Sequence, residues 1–255
     1  MPERLLTVDL GNSSCSLVLW EELHVEAEPA QRLTWDRQAE SLDDLEHRLA
    51  ALGSIDRALV SSVAGEELTA SLEASLARRS GAVVSAPEHG LRLQVETPET
   101  VGQDRLYTAR GAGLLARGAL IVVDAGTALT VDAVGPAGVF LGGAIAPGPA
   151  LLARALEAGG ARLPKIAVEP GARALGRDTP GAMAAGVVVG FRGAARALVL
   201  EIAADPRLAD LTTGTPTVVL TGGARAFLLQ PAPFVPLPIR EVGDLVHRGL
   251  LACLP

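Results

Sequence analysis

The chain has 255 residues, of which 49% are hydrophobic and 20% charged, a balance typical of a folded globular protein. Its net charge of −7 argues against a general binder of nucleic acid or anionic membranes, which needs a basic surface. The apolar runs are shorter than the roughly 18 residues of a membrane span, and the N-terminus shows no signal-peptide pattern. We therefore expect a cytoplasmic protein. The two cysteines and four histidines form no zinc or redox motif.

The first half of the chain alternates predicted strands and helices, which indicates an α/β fold. Two strands joined by a polar turn open the chain, and Ser41 is placed to cap the helix that follows. The predicted elements are strands at 5–8, 15–20, 55–62 and 82–85, and helices at 41–52, 66–79 and from Gly102 or Gln103 onward.

The second half opens on the same pattern as the first. The segments LLTVDLGNSSCSLVL and LIVVDAGTALTVDAV both place Asp-x-Gly and a polar residue between two apolar strands, with Asp9 and Asp124 115 residues apart. This repeat predicts two similar α/β lobes, 1–117 and 118–255, and leaves open that the last helix packs back on the first lobe. Further predicted elements are helices at 149–158, 181–200 (buried) and 242–254, and a strand at 217–220.

Glycine beside aspartate in these turns suits phosphate binding. Without a Cβ, a backbone N–H can approach a phosphate closely, and an aspartate can hold Mg²⁺ through water. Two such turns facing each other across a cleft would clamp a nucleoside triphosphate, with Gly222 and Gly223 against the adenosine. The alternative is that all three are ordinary turns. Because Lys165 is the only lysine, ATP would be bound without a P-loop lysine.

The motifs resemble those of a known superfamily. DLGNS at 9–13, DAGTA at 124–128 and TGG at 221–223 are similar to the phosphate-1, phosphate-2 and adenosine motifs of the acetate and sugar kinase/Hsp70/actin superfamily. Within it, VGQDR at 101–105, LGGAIAPG at 141–148 and LGRDT at 175–179 resemble type III pantothenate kinase. The resemblance implies an α/β fold of two actin-like, ribonuclease H-like lobes with a nucleotide cleft between them.

The resemblance also implies an activity, ATP-dependent phosphorylation of pantothenate to 4′-phosphopantothenate, the first step of coenzyme A biosynthesis. Asp104 would be the catalytic base, Asp124 would bind a monovalent cation (K⁺ or NH₄⁺), and Asp9 would hold Mg²⁺ through water. The enzyme would be a homodimer that shares its substrate pocket between subunits, resists inhibition by coenzyme A, and binds neither nucleic acid nor membrane. Pantothenate would contact Gly102, Gln103, Asp104, Arg105 and Thr179. ATP would contact Asp9, Leu10, Gly11, Asn12, Ser13, Ser14, Cys15, Ser16, Thr127, Gly222 and Gly223.

Plainer interpretations remain for several of these residues. Asp104 suits a helix start, where the helix dipole favours a carboxylate, and Arg105 alone reads as a surface arginine. The family carries a tyrosine shortly before its GxDR motif, whereas this chain has 95–98 (VETP) there and its single tyrosine, Tyr107, after the motif. A kinase of another small hydroxyl compound therefore stays open. A transcriptional accessory protein without enzymatic activity also stays open, because members of the family that the motifs resemble have been labelled so.

Four residues are also expected to have structural roles. We predict that Thr179 caps the following helix, that Asp132 is structural or supports the residues of the site, and that Cys15 and Trp20 lie in the core. No histidine is assigned to catalysis.

Overall fold

The computed structural model describes residues 3–37, 39–212 and 214–254. Eleven strands and eight α-helices alternate along this part of the chain, together with a 3₁₀ turn at Pro98–Thr100. The strands are β1 (Leu5–Leu10), β2 (Ser14–Trp20), β3 (Gln31–Asp36), β4 (Ile55–Ser62), β5 (Ser80–Ser85), β6 (Arg92–Leu93), β7 (Leu120–Ala125), β8 (Ala128–Gly135), β9 (Val139–Pro147), β10 (Thr217–Thr221) and β11 (Ile239–Glu241). The helices are α1 (Leu42–Ala51), α2 (Glu66–Ala77), α3 (Gln103–Leu115), α4 (Pro149–Gly159), α5 (Thr179–Ala203), α6 (Pro206–Ala209), α7 (Ala226–Leu229) and α8 (Leu245–Leu251).

The chain divides into two compact units. Unit 1 contains Met1–Arg92, Glu96–Leu115 and Asp244–Pro255, and unit 2 contains Leu93–Val95 and Ala116–Gly243. The helix α8, at the end of the chain, thus belongs to the same unit as the first strands.

Unit 1 is built on a five-stranded sheet in the order β3-β2-β1-β4-β5. Strand β1 pairs antiparallel with β2 and parallel with β4. Because side chains alternate along a strand, β1 buries Leu6, Val8 and Leu10 on one face, in a cluster with Leu45 of α1 and Leu72 of α2. Its other face buries a second cluster, made by Leu5, Val18, Trp20, Ala27, Leu59, Tyr107, Val246, Leu250 and Leu251.

Unit 2 repeats this arrangement around β7. Its sheet has the order β11-β10-β7-β8-β9-β6, with β7 antiparallel to β8 and parallel to β10. In both units the first strand of a hairpin therefore lies between an antiparallel and a parallel neighbour. This common topology confirms the predicted α/β fold class.

Several predicted boundaries match the structure, and others do not. Ser41 caps α1 in a capping box with Asp44, and the predicted strand at 55–62 coincides with β4. The N-cap of α5 is Asp178, not Thr179: the Asp178 carboxylate accepts a hydrogen bond from the Gly181 N–H at 2.7 Å, so Thr179 is the first helical residue. The last helix begins at Leu245 rather than at 242, because Asp244 adopts a left-handed conformation (φ 55°).

Helix α5 is long and apolar enough, by length and composition, to cross a membrane. Its inner face nevertheless packs in the core of unit 2, where Phe191, Ala195 and Val199 are buried against the sheet. The opposite face is exposed, and Val189 keeps 47% of its surface. The predicted buried helix is therefore buried on one side only.

Candidate active site

The turn of the first hairpin, between β1 and β2, is tight and polar. The Gly11 N–H donates to the Ser14 carbonyl oxygen at 2.9 Å, which closes the turn around Asn12 and Ser13. Leu10 and Cys15, at the two ends of the turn, have buried side chains, so only their backbone atoms can serve a ligand. Burial raises the pKa of the Cys15 thiol well above its usual range, and nearby Asp9 adds to this effect. Cys15 is thus a core residue, as predicted.

Asp9 lies at the centre of a polar row across three strands. The strand register places Ser16 opposite it on β2 and Ser61 beside it on β4. The Ser61 hydroxyl donates to Asp9 Oδ1 at 3.2 Å. One carboxylate with neighbouring hydroxyls is a donor set that suits Mg²⁺, which binds oxygen and keeps most of its waters. Among the described residues there is no cluster of three His, Cys, Asp or Glu side chains that could form an all-protein metal cage.

The start of α3 lies against the base of this hairpin. The Ser62 N–H donates to Gln103 Oε1 at 3.2 Å, and the Val63 N–H donates to the Leu10 carbonyl at 3.0 Å. A Cβ built on Gly102 would lie 3.5 Å from Val63 Cγ1. Strand β4 therefore connects Asp9 to the GQDR segment, so these predicted site residues come together within unit 1.

The Asp104 carboxylate folds back over Gly102. Its Oδ1 accepts a hydrogen bond from the Arg105 N–H at 2.8 Å. A Cβ on Gly102 would lie only 2.5 Å from that oxygen, too close for two atoms that are not bonded. The absence of a side chain at Gly102 thus gives the Asp104 carboxylate its place at the start of the helix.

In unit 2, three glycine-containing turns meet at the second hairpin, between β7 and β8. Thr221 pairs with Asp124 in the β10–β7 register, and the Ala224 N–H donates to the Ala125 carbonyl at 2.7 Å. A Cβ on Gly222 (φ 93°) would overlap both Asp124 Oδ1 and the Ala125 carbonyl oxygen. Glycine at 222 therefore lets this turn pack directly against the Asp124 carboxylate, and a carboxylate is a suitable ligand for a monovalent cation.

Two further contacts complete this group. The Gly148 N–H donates to the Thr127 carbonyl at 3.0 Å, which places the end of the LGGAIAPG segment against the turn. Asp132 is 2% exposed, and its Oδ1 lies 2.4 Å from the position that a Cβ on Gly143 would take. Asp132 is therefore buried in the fold, which is compatible with either of the two predicted roles. Thr179 lies at the first position of α5 with an exposed side chain.

Tyr107 does not replace the missing tyrosine of the family. It is 2% exposed, and its hydroxyl donates to the Pro87 carbonyl at 2.6 Å. Burial raises the pKa of its phenol above the usual range, so the hydroxyl stays protonated. Tyr107 is a core residue of unit 1.

Sequence reasoning missed Arg37. Its guanidinium donates to the Gly11 carbonyl at 2.5 Å, and its N–H donates to the Ser13 carbonyl at 3.1 Å. Arg37 thus holds the first hairpin turn through two hydrogen bonds and brings a positive charge to it. The chain has only one lysine, so positive charge at this turn depends on arginine. A prediction of strand β3 would have revealed this contact, because β3 pairs with β2 and brings Asp36, the neighbour of Arg37, opposite Ser14.

Comparison with known proteins identifies the family of the chain. Residues 5–201 match the sequence profile of the family described as type III pantothenate kinase. A type III pantothenate kinase of Dehalococcoides mccartyi (strain ATCC BAA-2100) is 33% identical over 236 residues, 88% of this chain and 89% of the relative.

Two solved structures share the fold. One, from Campylobacter jejuni, is described as a Baf family transcriptional activator; it is 20% identical with a TM-score of 0.60 and covers 97% of this chain and 96% of its own. The other is MreB5 of Spiroplasma citri bound to ADP, 11% identical with a TM-score of 0.50 and a coverage of 97% and 94%. The fold is that of the sugar kinase and actin-like ATPases, and the chain belongs to the type III pantothenate kinase family.

Proposed function

We propose that Asp104 is the general base with which this chain phosphorylates pantothenate. The enzyme is an ATP-dependent pantothenate kinase by family, and its product, 4′-phosphopantothenate, enters coenzyme A biosynthesis. The observation that carries the assignment to Asp104 is the position of its carboxylate, held over Gly102 at the first turn of α3 and connected through β4 to Asp9.

In the proposed reaction the hydroxyl oxygen of pantothenate attacks the γ-phosphorus of ATP. The bond between that phosphorus and the β–γ bridging oxygen breaks, and the bonding electrons leave with the oxygen of ADP. The hydroxyl proton passes to the Asp104 carboxylate. Phosphoryl transfer is catalysed mainly by positioning and by stabilising negative charge. Gly102, Gln103, Arg105 and Thr179 would hold the acceptor, with the Arg105 guanidinium suited to the pantothenate carboxylate.

The two hairpin turns would bind the nucleotide. In the first, 9–16 offers backbone N–H groups and short hydroxyl side chains, and in the second, Thr127 offers a hydroxyl. Gly222 and Gly223 give the backbone room to lie against the adenosine. Asp9 would hold Mg²⁺ through water. When bound, the metal neutralises charge on the β- and γ-phosphate oxygens.

Asp124 is proposed to bind K⁺ or NH₄⁺ through its carboxylate, beside the turn at Gly222. We expect the reaction to slow strongly when Na⁺ or Tris replaces K⁺ at constant ionic strength, and Asp124→Ala to be nearly inactive. Initial rates in matched chloride salts measure this. Equal rates in the two salts would remove the cation from the proposal.

The protein is proposed to be a cytoplasmic homodimer that binds neither nucleic acid nor membrane. The net charge of −7 supports the absence of nucleic-acid binding. Unit 2 exposes the large apolar side chains of Ile145, Leu175 and Val189, which a second subunit would cover in the proposed dimer. The shared pocket would combine Asp104 of one subunit with Thr179 of the other. Inactive Asp104→Asn and Thr179→Ala chains that are unfolded and refolded together should then regain about a quarter of wild-type activity. Half of the dimers are mixed, and each mixed dimer has one intact site of its two. No restoration would contradict the shared pocket.

The acceptor is tested by following ADP release with pantothenate and with a panel of other small alcohols. We expect turnover with pantothenate and little inhibition by added coenzyme A. Turnover with a sugar, and none with pantothenate, would overturn the assignment of the acceptor. A filter-binding experiment with DNA at moderate salt tests the alternative of a transcriptional accessory protein.

A further inference from the structure

Helix α8 packs tightly against α3 in unit 1. A Cβ on Gly249 would overlap the Tyr107 carbonyl oxygen, and a Cβ on Gly111 would lie 2.6 Å from the Leu245 carbonyl oxygen. The two backbones approach this closely only because both positions are glycine. Helix α8 is thereby fixed to the helix whose first turn carries Asp104.

The same helix α8 carries His247, which is 3% exposed and contacts the first hairpin. Its Nδ1 lies 3.0 Å from Thr7 Oγ1, and its Nε2 lies 2.9 Å from Ser16 Oγ. Thr7 Oγ1 also accepts a hydrogen bond from Trp20 Nε1 at 2.8 Å and donates to the Val18 carbonyl at 3.2 Å. The His247 imidazole is therefore hydrogen-bonded to both strands of the hairpin, and the buried Trp20 is hydrogen-bonded to the same Thr7 hydroxyl.

A neutral imidazole carries one proton, so one ring nitrogen of His247 donates and the other accepts. With the Thr7 hydroxyl proton on the Val18 carbonyl, His247 Nδ1 donates to Thr7. In the neutral ring Nε2 is then the acceptor, and the Ser16 hydroxyl donates to it. Each polar atom of the network has a partner, which is the condition under which a buried polar group stabilises a unique arrangement.

The row formed by Ser16, Asp9 and Ser61 gives this network a functional meaning. Ser16 faces Asp9 directly in the antiparallel register, and Asp9 accepts the Ser61 hydroxyl. We propose that His247 is a positioning residue for Mg-ATP: through Ser16 and Thr7 it holds the first hairpin in the geometry that receives the phosphates. The proposal rests on the proposed function, in which this hairpin binds the nucleotide.

The test measures Mg-ATP binding by calorimetry without pantothenate, alongside the melting temperature. His247→Phe keeps a planar ring but leaves Ser16 without its partner; we expect the Kd for Mg-ATP to rise about tenfold, equivalent to about 1.4 kcal/mol. His247→Gln keeps one donor and one acceptor and should recover most of the affinity. Val246→Ala is the matched control, because it removes packing from the neighbouring buried position of α8 and touches neither Thr7 nor Ser16 in the hydrogen-bond network.

A purely structural role predicts a different result. His247→Phe and Val246→Ala would then lower the melting temperature and leave the Kd for Mg-ATP at the wild-type value, which overturns the proposal. If His247→Phe fails to fold, His247→Ala and Ser16→Ala remove the same bond from its two sides, and the effect of His247→Ala on the Kd must be smaller in the Ser16→Ala background than in the wild type. Independent, additive effects of the two substitutions also overturn it.

Steady-state kinetics separate this proposal from the proposed function. For His247→Phe the KM for ATP should rise about tenfold, with the KM for pantothenate unchanged. A wild-type protein that binds Mg-ATP but does not phosphorylate pantothenate would refute the acceptor and leave the role of His247 to be judged on the Kd values. A wild-type protein that does not bind Mg-ATP would refute both.

Discussion

At the scale of single residues, the start of α3 has room either for a side chain at 102 or for the observed Asp104 carboxylate, but not for both. Asp104 Oδ1 lies only 2.5 Å from the position that a Cβ at 102 would take. The sequence alone offered two interpretations of Asp104, a base or a carboxylate that merely suits a helix N-terminus. The contact with Gly102 shows that its carboxylate is held in a defined place, and it suggests how to separate position from charge.

Asp104→Asn removes the charge and keeps the size. A carboxylate in the first turn of a helix contributes only about 0.3–1 kcal/mol, so we expect a small change in melting temperature and a nearly unchanged ATP affinity. Loss of a general base typically lowers the rate by a factor of about 10²–10⁴, so kcat should fall at least about a hundredfold. The melting curve, nucleotide affinity and kcat are measured on one preparation. More than about a tenth of wild-type kcat would return Asp104 to the role of a helix-start carboxylate.

Gly102→Ala keeps the charge and moves it. The new Cβ would displace the end of the flexible Asp104 side chain rather than backbone, so we expect little change in stability and a fall in kcat of roughly tenfold or more. Gly113→Ala is the control on the same helix: nothing lies within 4 Å of its Cβ, and alanine should stabilise α3 by about 0.5–1 kcal/mol. Equal kcat in the two variants would show that the position of Asp104 does not matter.

At the scale of elements, the sequence predicted what local signals determine. Ser41 with its capping box, the alternation along β1 and the repeated Asp-x-Gly turn each depend on neighbouring residues, and each led to the observed element. Strand β3 was missed because it lies at a sheet edge and only Trp35 is buried, which leaves no alternation to read. Arg37 was missed with it, since its contact with Gly11 exists only through that pairing.

The start of α5 shows a different limit. Asp178 and Thr179 both carry side chains that cap helices, and Pro180 is tolerated in the first turn after either of them. Sequence therefore places the start to within one residue, and the Asp178 hydrogen bond to Gly181 decides it.

The turn after β10 makes two adjacent glycines unequal. Gly222 has a positive φ and no room for a Cβ between Asp124 and the Ala125 carbonyl, whereas nothing lies within 4 Å of a Cβ on Gly223. We expect Gly222→Ala to destabilise the protein by about 2 kcal/mol or more, because the overlap is with backbone. Gly223→Ala should keep the stability and weaken ATP binding if the backbone lies against adenosine. Urea unfolding and ATP titration measure the two effects; equal stability of both variants would contradict the geometry.

At the scale of the whole molecule, the last residues of the chain complete the first unit. Helix α8 covers the face of the sheet formed by Leu5, Val18 and Trp20, and it brings His247 to the hairpin from more than 200 residues away in sequence. Sequence patterns could identify the hairpin and the helix separately. They could not pair His247 with Ser16, because no local pattern encodes that contact.

The two tryptophans, Trp20 and Trp35, lie in unit 1, so their fluorescence reports the unfolding of this unit.

The burial of His247 predicts how the stability of unit 1 depends on pH. Removal from water lowers the pKa of His247 from 6.5 to about 4; Asp244 opposes this shift and Arg32 adds to it. Since the folded pKa lies below the unfolded one, the unfolded chain binds the proton more readily between these values. His247 therefore contributes stability that is complete above about pH 6.5 and is lost as the pH falls towards 4. Between pH 7.5 and pH 5 the loss from this residue should be about 2 kcal/mol.

The measurement is urea unfolding at both pH values, followed by tryptophan fluorescence, for the wild type and for His247→Gln. Glutamine does not titrate, so the variant should lose about 2 kcal/mol less than the wild type over this interval, while the other titrating groups act equally on both proteins. His47, which lies at an exposed position of α1, supplies the control: His47→Gln should follow the wild-type curve. If the curves for wild type and His247→Gln run parallel, the imidazole is charged or solvated in the fold, and the neutral tautomer that bonds to Thr7 and Ser16 is wrong.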